Sequence, residues 1–456
     1  MLRGRTYKEV YRNFKWKIPQ YYNIGVDVCD KWAHDKQRMA LIYSDPQGNR
    51  QQYTFRELKN ISNQLVNALK ANGIKPRDRI GILLSQRPQT LISHIAVYKL
   101  AAIAVQLLAL FGPDAIEYRL QDSMAGAVIT DEENLPKIFE IKEQLPGLKL
   151  IISVDGGPQN GVMDFGECLK KASRDFTPVK TRPRDPALII YTSGTTGPPK
   201  GTLHGQQLLL GILPGFEFYH NLFPRQGDLV WTPLDWAYIG GSYSYDALFP
   251  TLHHGQPMLA YKPRKFDAAE VFYIMAKYKV RNLMVVPTVL RMMMHAVKRP
   301  REKFDLNLRP ITVAGENLGQ ELAEWSRAHL GVEINEQYGQ TECDLVIGFC
   351  SEIMDIVQGA IGKAVPGHEV EIITQDGQVA GPGEVGEIAV KYPDPVMFLE
   401  YWKNLQATKD KFIGDWMRTG DYGKKDENGN LKPFISHNSD SGKGTIVLKR
   451  NRRKPL

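Results

Sequence analysis

The feature that most constrains this chain is a repeated alternation of short apolar runs with stretches of helical period. Between 55 and 73, Phe55, Leu58, Ile61, Leu65 and Leu69 recur at spacings of three and four, which places them on one helix face. Thr54 precedes them as an N-cap with Glu57 three positions on, and Gly73 marks a stop. Residues 79–84 then read as a buried strand and 91–104 as a second helix. Residues 127–130 and 150–154 are again short buried strands, and 187–191 runs as a strand straight into a Gly-rich loop. Strands at 283–286 and 311–314 are each followed by turn chemistry and a helix. Apolar strands alternating with helices predict an α/β fold, with parallel-type sheets layered with helices. The character changes after about 362. Residues 369–373, the turn Gln375, Asp376, Gly377 and the run 386–390 predict a small β-rich subdomain of hairpins over about 362–430.

Composition limits the function classes. Apolar residues make up 43% and charged residues 24%, so a buried core is expected and disorder is not. With 456 residues, the chain has room for several units of ordinary size or one large α/β domain with subdomains. Cys29, Cys168, Cys343 and Cys350 are scattered without metal-type spacing, which predicts reduced thiols and an intracellular setting. No stretch approaches 18 apolar residues, so no membrane span is expected. The first residues are basic without an apolar run behind them, which argues against a secretory signal. The reading is cytoplasmic, with the mitochondrial matrix left open. The net charge is +8, but residues 424–456 carry nine Lys/Arg against three Asp/Glu. The body is nearly neutral and shows no basic stripe with interleaved aromatics, so no nucleic-acid partner is expected.

The loop at 191–201 reads YTSGTTGPPKG. Thr192, Ser193, Thr195 and Thr196 supply hydroxyls, Gly194, Gly197 and Gly201 let the backbone approach a ligand, and Lys200 supplies positive charge. The order is not that of a Walker loop. Composition alone leaves a phosphate-gripping loop and a turn-rich surface loop equally weighted.

The loop resembles the signature of the AMP-forming acyl-CoA synthetase, luciferase and peptide-synthetase adenylation superfamily, and further segments follow in that family's order. Ala314, Gly315, Glu316, Asn317 and Leu318 resemble the adenine-wall segment. Asn335, Glu336, Gln337, Tyr338, Gly339, Gln340, Thr341 and Glu342 resemble the segment carrying an adenine-stacking Tyr and a magnesium Glu. Trp416, Met417, Arg418, Thr419, Gly420 and Asp421 resemble the segment whose Asp holds the ribose. The likeness spans roughly 22–429. It implies ATP, Mg²⁺ and coenzyme A as reactants, with Lys200, Thr341 and Glu342 catalytic and Glu342 the metal ligand. Glu is a hard oxygen ligand suited to Mg²⁺ shared with phosphate oxygens, and Thr341 is a donor for the α-phosphate.

The segment 232–241, TPLDWAYIGG, resembles the acyl-pocket motif of medium-chain synthetases. Trp236 and Tyr238 would line an apolar site, with Gly240 and Gly241 leaving room for ligand. Acetyl-CoA synthetases carry a Trp immediately before the QTE, where this chain has Gly339. An open wall there implies an acid larger than acetate.

Other residues read more plainly. His204 is either an active-site wall or a packing residue. His253 and His254 read as surface histidines rather than a metal pair. Met292, Met293 and Met294 read as core packing. Residues 441–445, SGKGT, lack a phosphate-loop pattern. The sequence is thus expected to comprise an AMP-binding domain over 1–433 and an atypical basic tail over 434–456, where the family has a mobile C-terminal domain with a catalytic Lys. A shifted frame or truncated gene is the expectation for that tail. Three functions follow: an acyl-CoA synthetase; a catalytically impaired homologue that binds only ATP and acyl ligand; or a peptide-synthetase adenylation domain. The last is disfavoured by the acyl-pocket segment and by the lack of a following carrier segment.

Overall fold

The computed structural model describes residues 1–156, 161–192, 198–237, 244–261, 263 and 265–434. Among them the chain forms two large sheets and one small one, with helices layered on the large pair. The first large sheet has eight strands, in the order Glu400–Tyr401, Lys200–Gly205, Pro186–Thr192, Ile103–Gln106, Arg79–Leu83, Ala127–Thr130, Leu150–Ser153, Val162–Asp164. Its interior is parallel, and antiparallel pairs occur only at the end holding Lys200–Gly205. The second has nine strands and brings Met39–Ser44 beside Met258–Ala260, then Val230–Trp231, Asn282–Val285, Ile311–Ala314, Ile334–Gln340 and Asp344–Gly348. The central strands of both sheets are buried on both faces and are mostly apolar, each with a single polar residue, as the parallel arrangement favours.

Local chemistry accounts for the helix boundaries. The helix Phe55–Ala71 begins on the expected capping box: Thr54 Oγ1 accepts from Glu57 N at 3.2 Å, and Glu57 Oε2 accepts from Thr54 N at 2.8 Å. It ends at Asn72, and Gly73 follows with φ +85°. Phe55, Leu58, Leu65 and Leu69 are fully buried, each worth about 1.5–3 kcal/mol relative to exposure. The helix expected over 91–104 instead spans Pro88–Lys99; Ala101 turns with φ +56°, and Ile103–Gln106 is a strand. An unbroken apolar run has no period to separate a buried helix from the strand that follows it.

The small sheet is antiparallel and comprises Val370–Ile373, Val385–Lys391, Trp416–Lys425, Phe412–Ile413 and Leu431–Pro433. It is not self-contained over 362–430. Lys363–Ala364 pairs into the nine-stranded sheet and Glu400–Tyr401 into the eight-stranded one. Residues 435–456, including the SGKGT stretch, lie outside the described residues.

Candidate active site

Three of the four family-like segments lie at the carboxyl ends of strands of the two large sheets, where open α/β sheets place ligands, and the fourth, 416–421, lies within an antiparallel strand of the small sheet. Ile311–Ala314 ends at Gly315, Ile334–Gln340 ends at Thr341, and Pro186–Thr192 ends at the Gly-rich loop. Gly315 has φ +87°, and the space where a Cβ would stand is empty, so its backbone presents a bare flat face. Neighbouring side chains are occupied. Glu316 Oε2 accepts from Thr288 N at 3.1 Å and from its hydroxyl at 2.5 Å, and Asn317 Oδ1 accepts from Gly319 N at 2.9 Å. The side chains of Glu316 and Asn317 are thus committed to protein partners, and the Gly315 backbone is left uncovered.

Asp421 is the centre of a polar cluster. Tyr338 donates its hydroxyl to Asp421 Oδ2 at 2.6 Å, and Gln340 Nε2 donates to the same oxygen at 2.8 Å. Gln340 also donates to the Thr419 carbonyl at 2.9 Å, and its own carbonyl accepts from Lys411 Nζ at 3.2 Å. Arg418 is paired with Glu387, whose other oxygen accepts from Gly420 N at 2.8 Å, fixing the turn before Asp421. Residues 338–340 on the nine-stranded sheet and 419–421 on the small sheet are thus bound into one face. Burial and the neighbouring Asp421 hold the Tyr338 phenol well above its ordinary range, so it remains a donor.

Glu342, 8% exposed, lies at the strand turn with its Oε1 accepting the Tyr401 hydroxyl. Lys200 Nζ stands over the Tyr401 ring, 5.2 Å from its centroid. One phenol therefore bridges the only two charged residues of the proposed catalytic set, although nothing in the period of the sequence pointed to Tyr401. Its signal lay in the short run Glu400, Tyr401, Trp402, which pairs with Lys200–Gly205 through Tyr401↔Thr202. Lys411 was missed in the same way. His204 is buried under this corner, within reach of the Thr341 carbonyl, and burial pushes its imidazole down to about 3, so it is neutral. Glu336 is partly buried on the Ile334–Gln340 strand, and burial raises its carboxyl to about 7. The Gln337 side chain is buried, with its carbonyl oxygen unpartnered.

Several expectations require correction or fall elsewhere. Gly339 does not open a wall: a Cβ there would stand 1.5 Å from the Asp344 carbonyl oxygen, so this backbone has no room for any side chain. Trp236 is fully buried in the main core and presents no surface to a ligand; its carbonyl accepts from Gln106 Nε2 at 2.8 Å. His253 and His254 are not surface histidines. His253 Nδ1 meets Asp27 Oδ2 at 2.6 Å and His254 Nε2 meets Glu217 Oε1 at 3.1 Å. Met293 and Met294 are core residues, but Met292 is 48% exposed. Ser193, Gly194, Thr195, Thr196, Gly197, Tyr238, Gly240 and Gly241 lie outside the described residues. A cavity of about 980 Å³ opens away from these motifs, lined in part by Phe14, Trp16, Trp32 and Glu217.

The fold belongs to a known class: a profile of the AMP-binding enzyme family matches residues 29–402, and the chain belongs to that family. It is, by family, an AMP-forming acid–CoA ligase, an enzyme class that uses ATP, Mg²⁺ and CoA. The chain is 29% identical over 434 residues to the mitochondrial acyl-coenzyme A synthetase ACSM5 of Homo sapiens, covering 93% of this chain and 73% of that protein. It is 28% identical over 432 residues to an uncharacterized acyl–CoA ligase, YtcI, of Bacillus subtilis, covering 92% and 78%. Among solved structures, a Brucella canis acyl-CoA synthetase matches with a TM-score of 0.86 at 26% identity, covering 95% of this chain and 80% of that one. The anthranilate CoA ligase AuaEII, in complex with anthranoyl-AMP, matches at 0.82 and 27%, covering 91% and 78%. No helix among the described residues is long and apolar enough to cross a membrane.

Proposed function

We propose that this chain activates a carboxylic acid larger than acetate, of medium-chain or branched size, to an acyl-adenylate and then to its CoA thioester. The supporting observation is the Asp421 carboxylate, held by Tyr338 and Gln340 from another sheet. Its remaining oxygen is an acceptor for ribose hydroxyls. The bare backbone of Gly315 and the ring of Tyr338 bracket the adenine. Glu342 fits a magnesium ion: it is a buried carboxylate with one neutral hydrogen-bond partner, and a hard cation would complete its coordination. The metal, when bound, neutralises charge on the phosphate oxygens. Lys200 and Thr341 place positive charge and a hydroxyl donor where charge builds as the acid's carboxylate attacks the α-phosphate and pyrophosphate leaves. Coenzyme A then displaces AMP. The hydroxyls of 192–197 complete the phosphate grip in this reading.

The size of the acid rests on the likeness of 232–241 to medium-chain synthetases, since Gly339 does not carry it. The test is carboxylate-dependent ATP–pyrophosphate exchange across straight and branched acids from acetate to decanoate, with MgATP binding measured on the same preparation. Exchange peaking above acetate is expected. A peak at acetate overturns the size assignment, and binding without any exchange assigns the chain a binding role instead.

A further inference from the structure

Lys200 and Glu342 belong to different sheets. Lys200 begins the strand Lys200–Gly205 of the eight-stranded sheet, and Glu342 follows the strand Ile334–Gln340 of the nine-stranded one. A short segment, 398–402, is hydrogen-bonded to both. Phe398 N donates to the Glu342 carbonyl at 2.9 Å. Leu399 N donates to the Leu203 carbonyl and Trp402 N to the Gly201 carbonyl, each at 2.7 Å. The segment thus ties the backbone of Glu342 to the backbone beside Lys200.

Tyr401 sits inside this strap and is buried. Its N donates to Thr408 Oγ1 at 2.9 Å, and its ring packs tilted against Phe398 with centroids 4.9 Å apart. A side chain so enclosed has few rotamers open to it, so its hydroxyl and its ring face are presented in fixed places. The hydroxyl donates to Glu342 Oε1, and the ring face meets Lys200 Nζ. Among the described residues Glu342 Oε2 has no hydrogen-bond partner, and neither Glu342 nor Lys200 makes an ion pair. A direct pair between them would cancel the two charges that the reaction needs. A neutral phenol holds each through a different part of one side chain and leaves both charges available to a ligand.

We propose that Tyr401 is the positioning residue of the metal and phosphate site: its hydroxyl turns the free oxygen of Glu342 toward the magnesium ion, and its ring holds Lys200 apart from that carboxylate, ready for phosphate. This rests on the adenylation reading, which gives the metal to Glu342 and the phosphate to Lys200. A carboxylate with one oxygen committed to a fixed donor offers the other in one orientation, which is how partners behind a metal ligand set its affinity.

The test reads metal and nucleotide separately, using α,β-methylene-ATP so that no turnover occurs. With the full chain in excess over nucleotide, the affinity of the complex for Mn²⁺ is read from the free-ion EPR signal, and metal-free nucleotide affinity is read by calorimetry in EDTA. Tyr401→Phe removes the hydroxyl and keeps the ring. It should weaken Mn²⁺ by about ten-fold or more and leave metal-free nucleotide within about two-fold. Tyr401→Leu should weaken Mn²⁺ as much and also weaken metal-free nucleotide by about three-fold or more, because Lys200 loses its aromatic face. In a Glu342→Gln background, Tyr401→Phe should change Mn²⁺ affinity by less than about two-fold, because its effect passes through that carboxylate. A Tyr401→Phe chain that holds Mn²⁺ within about two-fold of the parent overturns the proposal, as does a loss of about ten-fold recurring in the Glu342→Gln background. Metal-free affinity untouched by Tyr401→Leu overturns the Lys200 half. Thermal melts check that each variant folds. Should Tyr401→Phe not fold, Thr408→Ala frees the Tyr401 backbone instead; a smaller loss of Mn²⁺ affinity is expected there, and an unchanged one overturns the proposal. A parent chain that binds no nucleotide removes the adenylation reading itself, and this proposal with it.

Discussion

The two ends of the cleft are built on opposite rules. Around Asp421 and Glu342 the polar groups answer one another: Tyr338 and Gln340 on Asp421, Lys411 on Gln340, Tyr401 on Glu342. Across the strand turn Asp246 is enclosed at 4% exposure, and Gly339 is pressed against the Asp344 carbonyl. Answered groups hold a geometry before the ligand arrives, which is what stabilising a transition state requires. A buried carboxyl instead carries a desolvation cost that protonation relieves, and burial raises Asp246 well above the usual carboxylate range.

Substitutions at the two ends should therefore fail differently. Glu342→Ala is expected to have the largest effect, lowering exchange by about 10²–10³-fold with the fold retained, as read from kcat and a thermal melt. Preserved kcat would remove Glu342 from the metal site. Gly339→Ala should act on the fold instead, because the Asp344 strand must move to admit the methyl. A loss of about 1–3 kcal/mol in a denaturant melt is expected, and an unchanged midpoint would show that the bulge accommodates it. Asp421→Asn should weaken ATP by about ten-fold or somewhat more, a loss of charge-assisted hydrogen bonds, read as KM for ATP with little change in kcat for the bound complex. Glu336 sharpens the contrast through pH. Its folded pKa of about 7 lies above the unfolded value, so the stability it contributes is complete below about 4.5 and is lost as pH rises through 7. Glu336→Gln should accordingly gain on the order of 1–2 kcal/mol over the parent at pH 8 and almost nothing at pH 4, by chemical melts at both. Tyr338→Phe, which removes one hydroxyl from an Asp421 oxygen still held by Gln340, should cost only about 1 kcal/mol in ATP binding.

Sequence reasoning was most informative where the chemistry is local. The capping box at Thr54 and Glu57, the strand Ile311–Ala314 and the hairpin pairing Ile372 with Ile388 follow from neighbours in the chain. The gathering of Gly315, Tyr338 and Asp421 was legible only through ordered likeness to a family, because no single segment contains its own partner. What stayed hidden depends on backbone course. Gly339 looks like an absent side chain in a sequence, yet the bulge between Tyr338 and Gly339 turns its missing Cβ into the next strand. Trp236 looks like a pocket aromatic and is core. Tyr401 and Lys411 act on residues 59 and 71 positions away, distances at which period and spacing carry no signal.

The pairing of Tyr401 with Thr202 has a consequence for how this protein is made. The strand Lys200–Gly205 leaves the ribosome about 200 residues before the strand that covers its edge. During that interval an unpaired row of backbone groups, next to the phosphate loop, is available to any other extended chain. Synthesis must pass residue 401 before that edge is covered. The nascent chain, more than the finished enzyme, is therefore the form most exposed to aggregation.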